Sequence, residues 1–405
     1  MFIILNVDTS PGLMVYFGDG PIIYDVIFVL PNLLHNPTGG DRDVSMISAR
    51  LRRDGFKVAV VYIRDPLKRL NKLVKSRNLK SVVKNRRKRE AIYYNLMSSR
   101  FGYLFLRKIV RTLLKIDFYE DFEGIHVYFA KSLEKIPVGL NMIAQSWEAA
   151  FFVFYQGRAV NKFYHVHHSV DDETFSGNLS GIAKESFNLQ LKKIVESDAS
   201  QRRFRDEDPL RIDKGIDTVK FKCKVLPENR EDVVLFPFRT NKSKGADVAI
   251  QCCNLIHGLE PGIKIVGFGN YPKEKIPNFV EYRGRVSDGE LVDLYNMSSI
   301  TVIPSTVEGT SLPALEAMSC GSCLISTENE GVLSFAHNEE NAMLVPIGNA
   351  EIMANKVITL LKNDELRVKL AYAGIETASY RTHEREYESF KKILALRNKN
   401  ESSDF

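Results

Sequence analysis

The chain has 405 residues, 44% hydrophobic and 26% charged, a globular composition with room for two ordinary domains and not that of a disordered, fibrous or disulfide-built protein. Its net charge of +6 hides an uneven distribution: Arg64 to Lys115 holds 17 Lys/Arg against Asp65 and Glu90, a local +15 that leaves −9 for the rest. No apolar run reaches the ~20 residues of a bilayer span, Met1-Phe-Ile-Ile-Leu-Asn6 lacks the basic flank of a signal peptide, and five cysteines suggest reduced thiols, so a cytoplasmic protein is expected.

In chain order, Asp25–Pro31 reads as a buried strand, followed by Gly39-Gly40, an amphipathic helix from about Asp43 to Arg53, Gly55, and a second strand over Lys57–Ile63. That is a βαβ unit, the start of a parallel sheet covered by helices. Ile125–Phe129, Gly139–Ile143 and Lys162–Val166 continue it. A second series begins near Asp232, with strands expected at Val233–Phe238, Ile263–Phe268, Phe279–Tyr282, Ile300–Ile303, Ser322–Ile325 and Met343–Val345. Helices fill the gaps at about Ala246–Ile256, Gly289–Met297, Leu312–Ser319 and Ala350–Leu361. The expected class is α/β, with two Rossmann-like doubly wound domains facing a cleft. The expected domains are residues 1–221, 222–380, and a terminal segment 381–405 packing back on the first. Its helix, about Glu384–Leu396, carries Tyr387, Phe390, Ile393 and Leu394 as an apolar stripe that must be covered.

The segment with the most chemistry is Glu308-Gly-Thr-Ser-Leu-Pro-Ala-Leu-Glu316. It follows a strand and opens a helix. Thr310 or Ser311 can cap that helix, and Pro313 suits its first turn. Free N–H groups and the helix dipole at such an end favour a phosphate, and Gly309 lets a ligand approach the backbone. Glu308 stands before the turn and Glu316 one turn in, so both carboxylates can face one cleft and accept hydroxyl hydrogen bonds from sugars. The competing reading is a capped surface turn with a solvated Glu316. Cys320-Gly-Ser-Cys323 has no second pair to complete a metal site and reads as structural.

The stretch from Glu308 to Glu316, continued to Gly321, resembles the Glu-x7-Glu signature of family 4 glycosyltransferases, which have the two-domain GT-B fold. Arg239-x4-Lys244-Gly245 is similar to that family's diphosphate-binding pair. Ile265–Gly269 is similar to its glycine loop, and Val280–Gly284 with Glu290–Tyr295 to the segment beside the base. Gly215–Phe221 resembles its interdomain Gly-Ile-Asp-x-x-x-Phe, and Gly39-Gly40 its N-terminal glycine loop. The resemblance implies that Glu316 holds the ribose, Glu308 contacts the transferred sugar, and Arg239 and Lys244 neutralise the diphosphate. It places the distal phosphate on the backbone N–H groups of Gly309, Thr310, Ser311 and Leu312, with Gly40 facing the donor. It implies transfer with retention, with no cofactor and no metal. Two departures stand out: Phe236-Pro-Phe238 occupies the segment where the family has a glycine before the Arg, and Thr310-Ser311 replaces an aromatic-glycine pair.

His165, His167 and His168 end the strand Lys162–Val166. By alternation His165 and His167 share a side. The family's Val-His-Asp aligns with Val166-His167-His168, so the resemblance makes His167 the catalytic candidate beside the donor sugar. The basic segment, about 64–115, alternates with Leu70, Leu73, Val82, Leu104 and Ile109, a pattern suited to an anionic membrane surface. A solvated face and nucleic acid are the other readings. The expected partners are a nucleoside-diphosphate sugar, a glycan or lipid-linked acceptor and an anionic membrane, not nucleic acid. The expected place is the cytoplasmic face of a membrane. An epimerase-like sugar-nucleotide enzyme, or a non-catalytic binding module, remains as the alternative.

Overall fold

The computed structural model describes residues 23–31, 39–63, 66, 125–130, 132–156, 158–167 and 180–400. The basic segment about 64–115, apart from Pro66, and His168 lie outside them. The chain divides into two compact units: residues 1–166, 178–194 and 394–405, and residues 167–177 and 195–393. Residues 195–221, expected with the N-terminal domain, go with the second unit.

The first sheet has the order β3-β2-β1-β4-β5-β6-β7. Its strands are β1 (Ile23–Leu30), β2 (Val58–Ile63), β3 (His126–Ala130), β4 (Val138–Ala144), β5 (Ala159–Val166), β6 (Lys192–Val195) and β7 (Leu210–Arg211). Val26 to Val29 of β1 and all of β2 are buried, because parallel strands covered on both faces read as unbroken apolar runs. Helix α1 (Gly39–Arg53) joins β1 to β2 and begins at Gly39-Gly40. It turns Val44, Ile47 and Leu51 inward, the i, i+3, i+7 spacing of one helix face.

The second sheet has the order β10-β9-β8-β11-β12-β13. Its strands are β8 (Val233–Phe238), β9 (Lys264–Gly269), β10 (Glu281–Tyr282), β11 (Ile300–Ile303), β12 (Cys323–Thr327) and β13 (Met343–Val345). Its helices are α2 (Ala246–Leu259), α3 (Asp288–Met297), α4 (Leu312–Ser319), α5 (Ala350–Leu361), α6 (Asp364–Ser379) and α7 (His383–Asn400). Alternation splits β8 between two cores. Val234 and Phe236 pack with Cys252, Ile256, Met353 and Val357, while Val233 and Leu235 pack with Tyr295, Leu315 and Met318. Cys320 and Cys323 are buried without a disulfide, and burial pushes both thiols up to about 12. That fits the structural reading of this pair.

Strand order reverses between β8 and β11: β9 and β10 lie on one side, β12 and β13 on the other. Such a switch point opens a crevice at the carboxyl ends of the strands. Pro237 sits in central strand β8, where proline is usually excluded. It is tolerated because β11 pairs only with Val234 and Leu235, leaving the end of β8 bonded on its β9 side. The stripe expected on the last helix is buried: Tyr387, Phe390, Ile393 and Leu394 are all under 7% exposed.

Candidate functional site

The loops after β8 and β11 are joined at the switch point. Thr306 N donates to Ser243 O at 2.8 Å. Gly245 has φ +68 and lies so close to Pro304 that a Cβ would stand 2.0 Å from its carbonyl oxygen, so only glycine fits. Asn241 accepts from Ser243 N and closes the short turn Lys242–Lys244. These contacts carry Lys244 across to the β11 loop, where its Nζ donates to Glu308 Oε2 at 2.6 Å. The pair is half sheltered, with side-chain exposures of 31% and 10%. Gly331 closes the other side of Glu308: a Cβ there would stand 2.7 Å from the glutamate Cβ.

Arg239 follows β8 directly. Its side chain is exposed and has no hydrogen-bond or ion-pair partner among the described residues. Burial raises the Tyr282 and Tyr295 phenols above their ordinary range, and the nearby Arg239 charge offsets only part of that rise. Beyond it, Gly269 has φ +136 and abuts Phe238 O. A Cβ on Gly267 would meet the Phe238 ring at 2.6 Å. Phe238 thus fills space that the glycines of β9 leave open.

Helix α4 starts as expected, but its cap differs. Ser311 is the N-cap residue, and its hydroxyl makes no capping bond. The cause is local. Pro313 has no N–H to give, and Ala314 N is taken by the backbone oxygen of Ser311 at 3.1 Å. The hydroxyls of Thr310 and Ser311 are therefore buried with no partner. Leu312 N donates to Thr310 O at 3.0 Å, so this N–H is engaged and is not one of the open donors expected. The amides of Gly309, Thr310 and Ser311 have no hydrogen-bond acceptor among the described residues. Three amides and two hydroxyls at a helix N-terminus can all serve an anion.

Glu316 lies one turn into α4, only 8% exposed. The Tyr295 hydroxyl donates to its Oε2 at 3.4 Å. Burial, and then the Glu316 charge, raise the Tyr295 phenol well above its ordinary range, so it remains a donor. Tyr295 is held by α3, whose first turn is fixed by a reciprocal Ser287–Glu290 cap.

His167 belongs to the same unit, but the hydrogen bond of its ring nitrogen is to Glu196, not to Glu308. Its Nδ1 lies 2.7 Å from Glu196 Oε1. The same oxygen is 3.5 Å from Lys214 Nζ. Gly40 is the second residue of helix α1, in the first unit. Sequence reasoning missed Gly331 and Glu196, and it placed Tyr295 beside the base without its contact to Glu316. A tyrosine or glycine in a helix or loop carries no spacing signal for its partner, and Glu196 is 29 residues from His167.

Residues 219–377 match the family described as Glycosyl transferases group 1. Over 141 residues the chain is 31% identical to a protein named as an uncharacterized glycosyltransferase of Methanocaldococcus jannaschii, covering 33% of this chain and 39% of that one. Over 99 residues it is 33% identical to an N,N'-diacetylbacillosaminyl-diphospho-undecaprenol alpha-1,3-N-acetylgalactosaminyltransferase of Campylobacter jejuni, covering 24% and 26%. The chain thus spans well under half the length of either curated relative. The crystal structure of HepE from Anabaena in complex with UDP and glucose is similar in fold, with a TM-score of 0.61 at 17% identity, covering 92% of this chain and 99% of that one. Residues 219–377 thus match the glycosyl transferases group 1 family, in a chain with the GT-B fold.

Proposed function

We propose that the chain transfers a sugar from a nucleoside-diphosphate sugar to a hydroxyl of a glycan or lipid-linked acceptor, in cell-surface polysaccharide or glycolipid synthesis, with retention of anomeric configuration. The observation that carries this reading is the meeting of Lys244 with Glu308 at the switch point, beside a helix end with open N–H groups. In this reading the donor diphosphate takes the place of Glu308 as the partner of Lys244, and Arg239 supplies a second cation. The amides of Gly309, Thr310 and Ser311 hold the distal phosphate. Glu316 accepts the ribose hydroxyls, and Glu308, released, faces the transferred sugar. Cations aimed at the leaving diphosphate are the main catalytic term. Because two side chains supply that charge, the transfer is proposed to need no metal, and unchanged turnover in EDTA is the expected result. Gly40 and His167 are proposed to meet the donor sugar.

The Anabaena relative binds UDP, which makes UDP the first nucleotide to test. The acceptor class rests on the undecaprenol-linked substrate named for the Campylobacter relative. No helix among the described residues is long and apolar enough to cross a membrane. The proposed location is the cytoplasmic membrane face, with segment 64–115 as the contact. Each basic residue near an anionic bilayer adds roughly 1 kcal/mol. Flotation with anionic vesicles at low salt tests it, and no binding removes the membrane. The deciding experiment for function is a thermal-shift screen with UDP, GDP and dTDP and their sugars, since a ligand of the native state raises the melting temperature. Failure of all of them overturns the reading.

A further inference from the structure

The second unit contains a run of buried ionisable groups outside the Lys244–Glu308 crevice. His167 Nδ1 meets Glu196 Oε1 at 2.7 Å, and Lys214 Nζ stands 3.5 Å from that same oxygen. Lys214 Nζ also donates to Glu386 Oε1 at 3.0 Å, while Gly215 N donates to Glu386 Oε2 at 3.1 Å. The side chains of His167, Glu196, Lys214 and Glu386 are 12%, 4%, 3% and 0% exposed. Burying three full charges is costly unless each has a partner of opposite sign. The order carboxylate, ammonium, carboxylate satisfies that rule and ends on an imidazole.

We propose that Glu196 is a positioning residue for His167, kept in its carboxylate form by Lys214, which is itself balanced by Glu386. The proposal rests on the reading of His167 as a contact of the donor sugar. A carboxylate on Nδ1 fixes two things: the ring plane, and the nitrogen that carries the proton in the neutral ring. A histidine so held acts on substrate through Nε2. Each member is placed by a rigid neighbour. His167 follows the last residue of β5 and Glu196 the last of β6, and these strands are adjacent in the sheet. Ser197, next to Glu196, caps the helix Asp198–Arg203 by accepting from Ser200 N. Glu386 is in the first turn of α7, where Ile216 bridges Thr382. Gly215 allows that approach: a Cβ there would stand 2.2 Å from the Thr382 carbonyl. The role of the 214–217 segment is thus to bring Lys214 between the two carboxylates.

Two measurements test the proposal. The first is ring nitrogen NMR on protein labelled with 15N-histidine, with the His167 signal assigned by its loss in His167→Ala. The expected result is an Nδ1–H ring in the native protein that changes tautomer balance in Glu196→Ala. An unchanged signal in folded Glu196→Ala overturns the proposal. Glu196→Leu serves if the alanine variant does not fold: it fills a similar volume without accepting from Nδ1, so the same change of tautomer balance is expected, and an unchanged signal again overturns the proposal. The second is turnover of whichever of UDP-glucose, GDP-mannose and dTDP-rhamnose is hydrolysed fastest. Glu196→Ala is expected to lower kcat about tenfold to a hundredfold with KM little changed, and the double variant with His167→Ala to be no slower than His167→Ala alone. A double-variant loss equal to the product of the single losses means a merely structural role and overturns the proposal. If His167→Ala leaves turnover unchanged, the reading of His167 as a sugar contact fails, while the NMR result still decides whether Glu196 orients the ring.

Discussion

Lys244 Nζ donates to Glu308 Oε2 across 2.6 Å although the two residues are 64 apart in the chain. The pair sits where strand order reverses, and it joins the loops after β8 and β11. A diphosphate must compete with Glu308 for the ammonium. Glu308→Gln removes the competitor, so UDP is expected to bind equally well or several-fold tighter while sugar transfer falls. Lys244→Met removes the charge-assisted hydrogen bond to phosphate, and UDP affinity is expected to fall about tenfold or more. Titration calorimetry with UDP separates the two variants. Equal weakening in both shows that the pair acts only to hold the loop.

Ser311 and Thr310 give a second test, on stability. Both hydroxyls are buried without a partner in the ligand-free protein. An unsatisfied buried polar group costs about 1–3 kcal/mol. Ser311→Ala, and Thr310→Val by the same argument, should leave the ligand-free melting temperature unchanged or raised by a few degrees. The increase in melting temperature on adding UDP should shrink. A fall in ligand-free stability in Ser311→Ala shows instead that the hydroxyl bonds within the protein.

Most strands were legible because each is a short apolar run between breakers, as in Val58–Ile63 and Ile300–Ile303; β6 and β7 were not anticipated, since Lys192–Val195 begins with two lysines and Leu210–Arg211 is only two residues long. Boundaries moved by one or two residues at most of them, the usual fraying of hydrogen-bond definitions. Helix α6 was not anticipated: its buried residues, Arg367, Leu370, Ala371, Gly374 and Ala378, share one face, but only Leu370 is a large apolar side chain, so the face carries little apolar signal. The Ser311 cap failed because a capping signature ignores which N–H groups remain. Pro313 removed one and the Ser311 carbonyl took another. Glu308, Glu316, Arg239 and Lys244 could be selected from spacing and resemblance. Their geometry could not, because it depends on Gly245 against Pro304 and Gly331 against Glu308, contacts between separate loops.

Lys214 supports a prediction about folding. It stands between Glu196 and Glu386, 3% exposed. Lys214→Met leaves two buried carboxylates without their shared cation and is expected to destabilise the protein by roughly 3–5 kcal/mol. The triple change Glu196→Gln, Lys214→Met, Glu386→Leu removes all three charges and should recover most of that loss. Urea unfolding of the two variants compares them. If the triple variant is less stable than Lys214→Met, the charges are not the source of the loss.

The cysteines connect burial to alkaline pH. Burial pushes the Cys252, Cys320 and Cys323 thiols up to about 12 and raises Cys253 well above its ordinary value, because a thiolate in an apolar core is poorly solvated. A thiol whose folded-state pKa is raised binds its proton more tightly when folded. Its contribution to stability is complete below the unfolded value near 9 and is lost as pH rises from there toward 12. The melting temperature is therefore expected to fall steeply between about pH 9 and pH 12. Iodoacetamide at pH 8 should modify Cys223, the one cysteine that is not fully buried, and spare the other four, since the thiolate is the reactive form. Replacing Cys320 and Cys323 together by alanine should flatten the alkaline fall. Rapid alkylation of Cys320 in the native protein at pH 8 contradicts both its burial and its raised pKa.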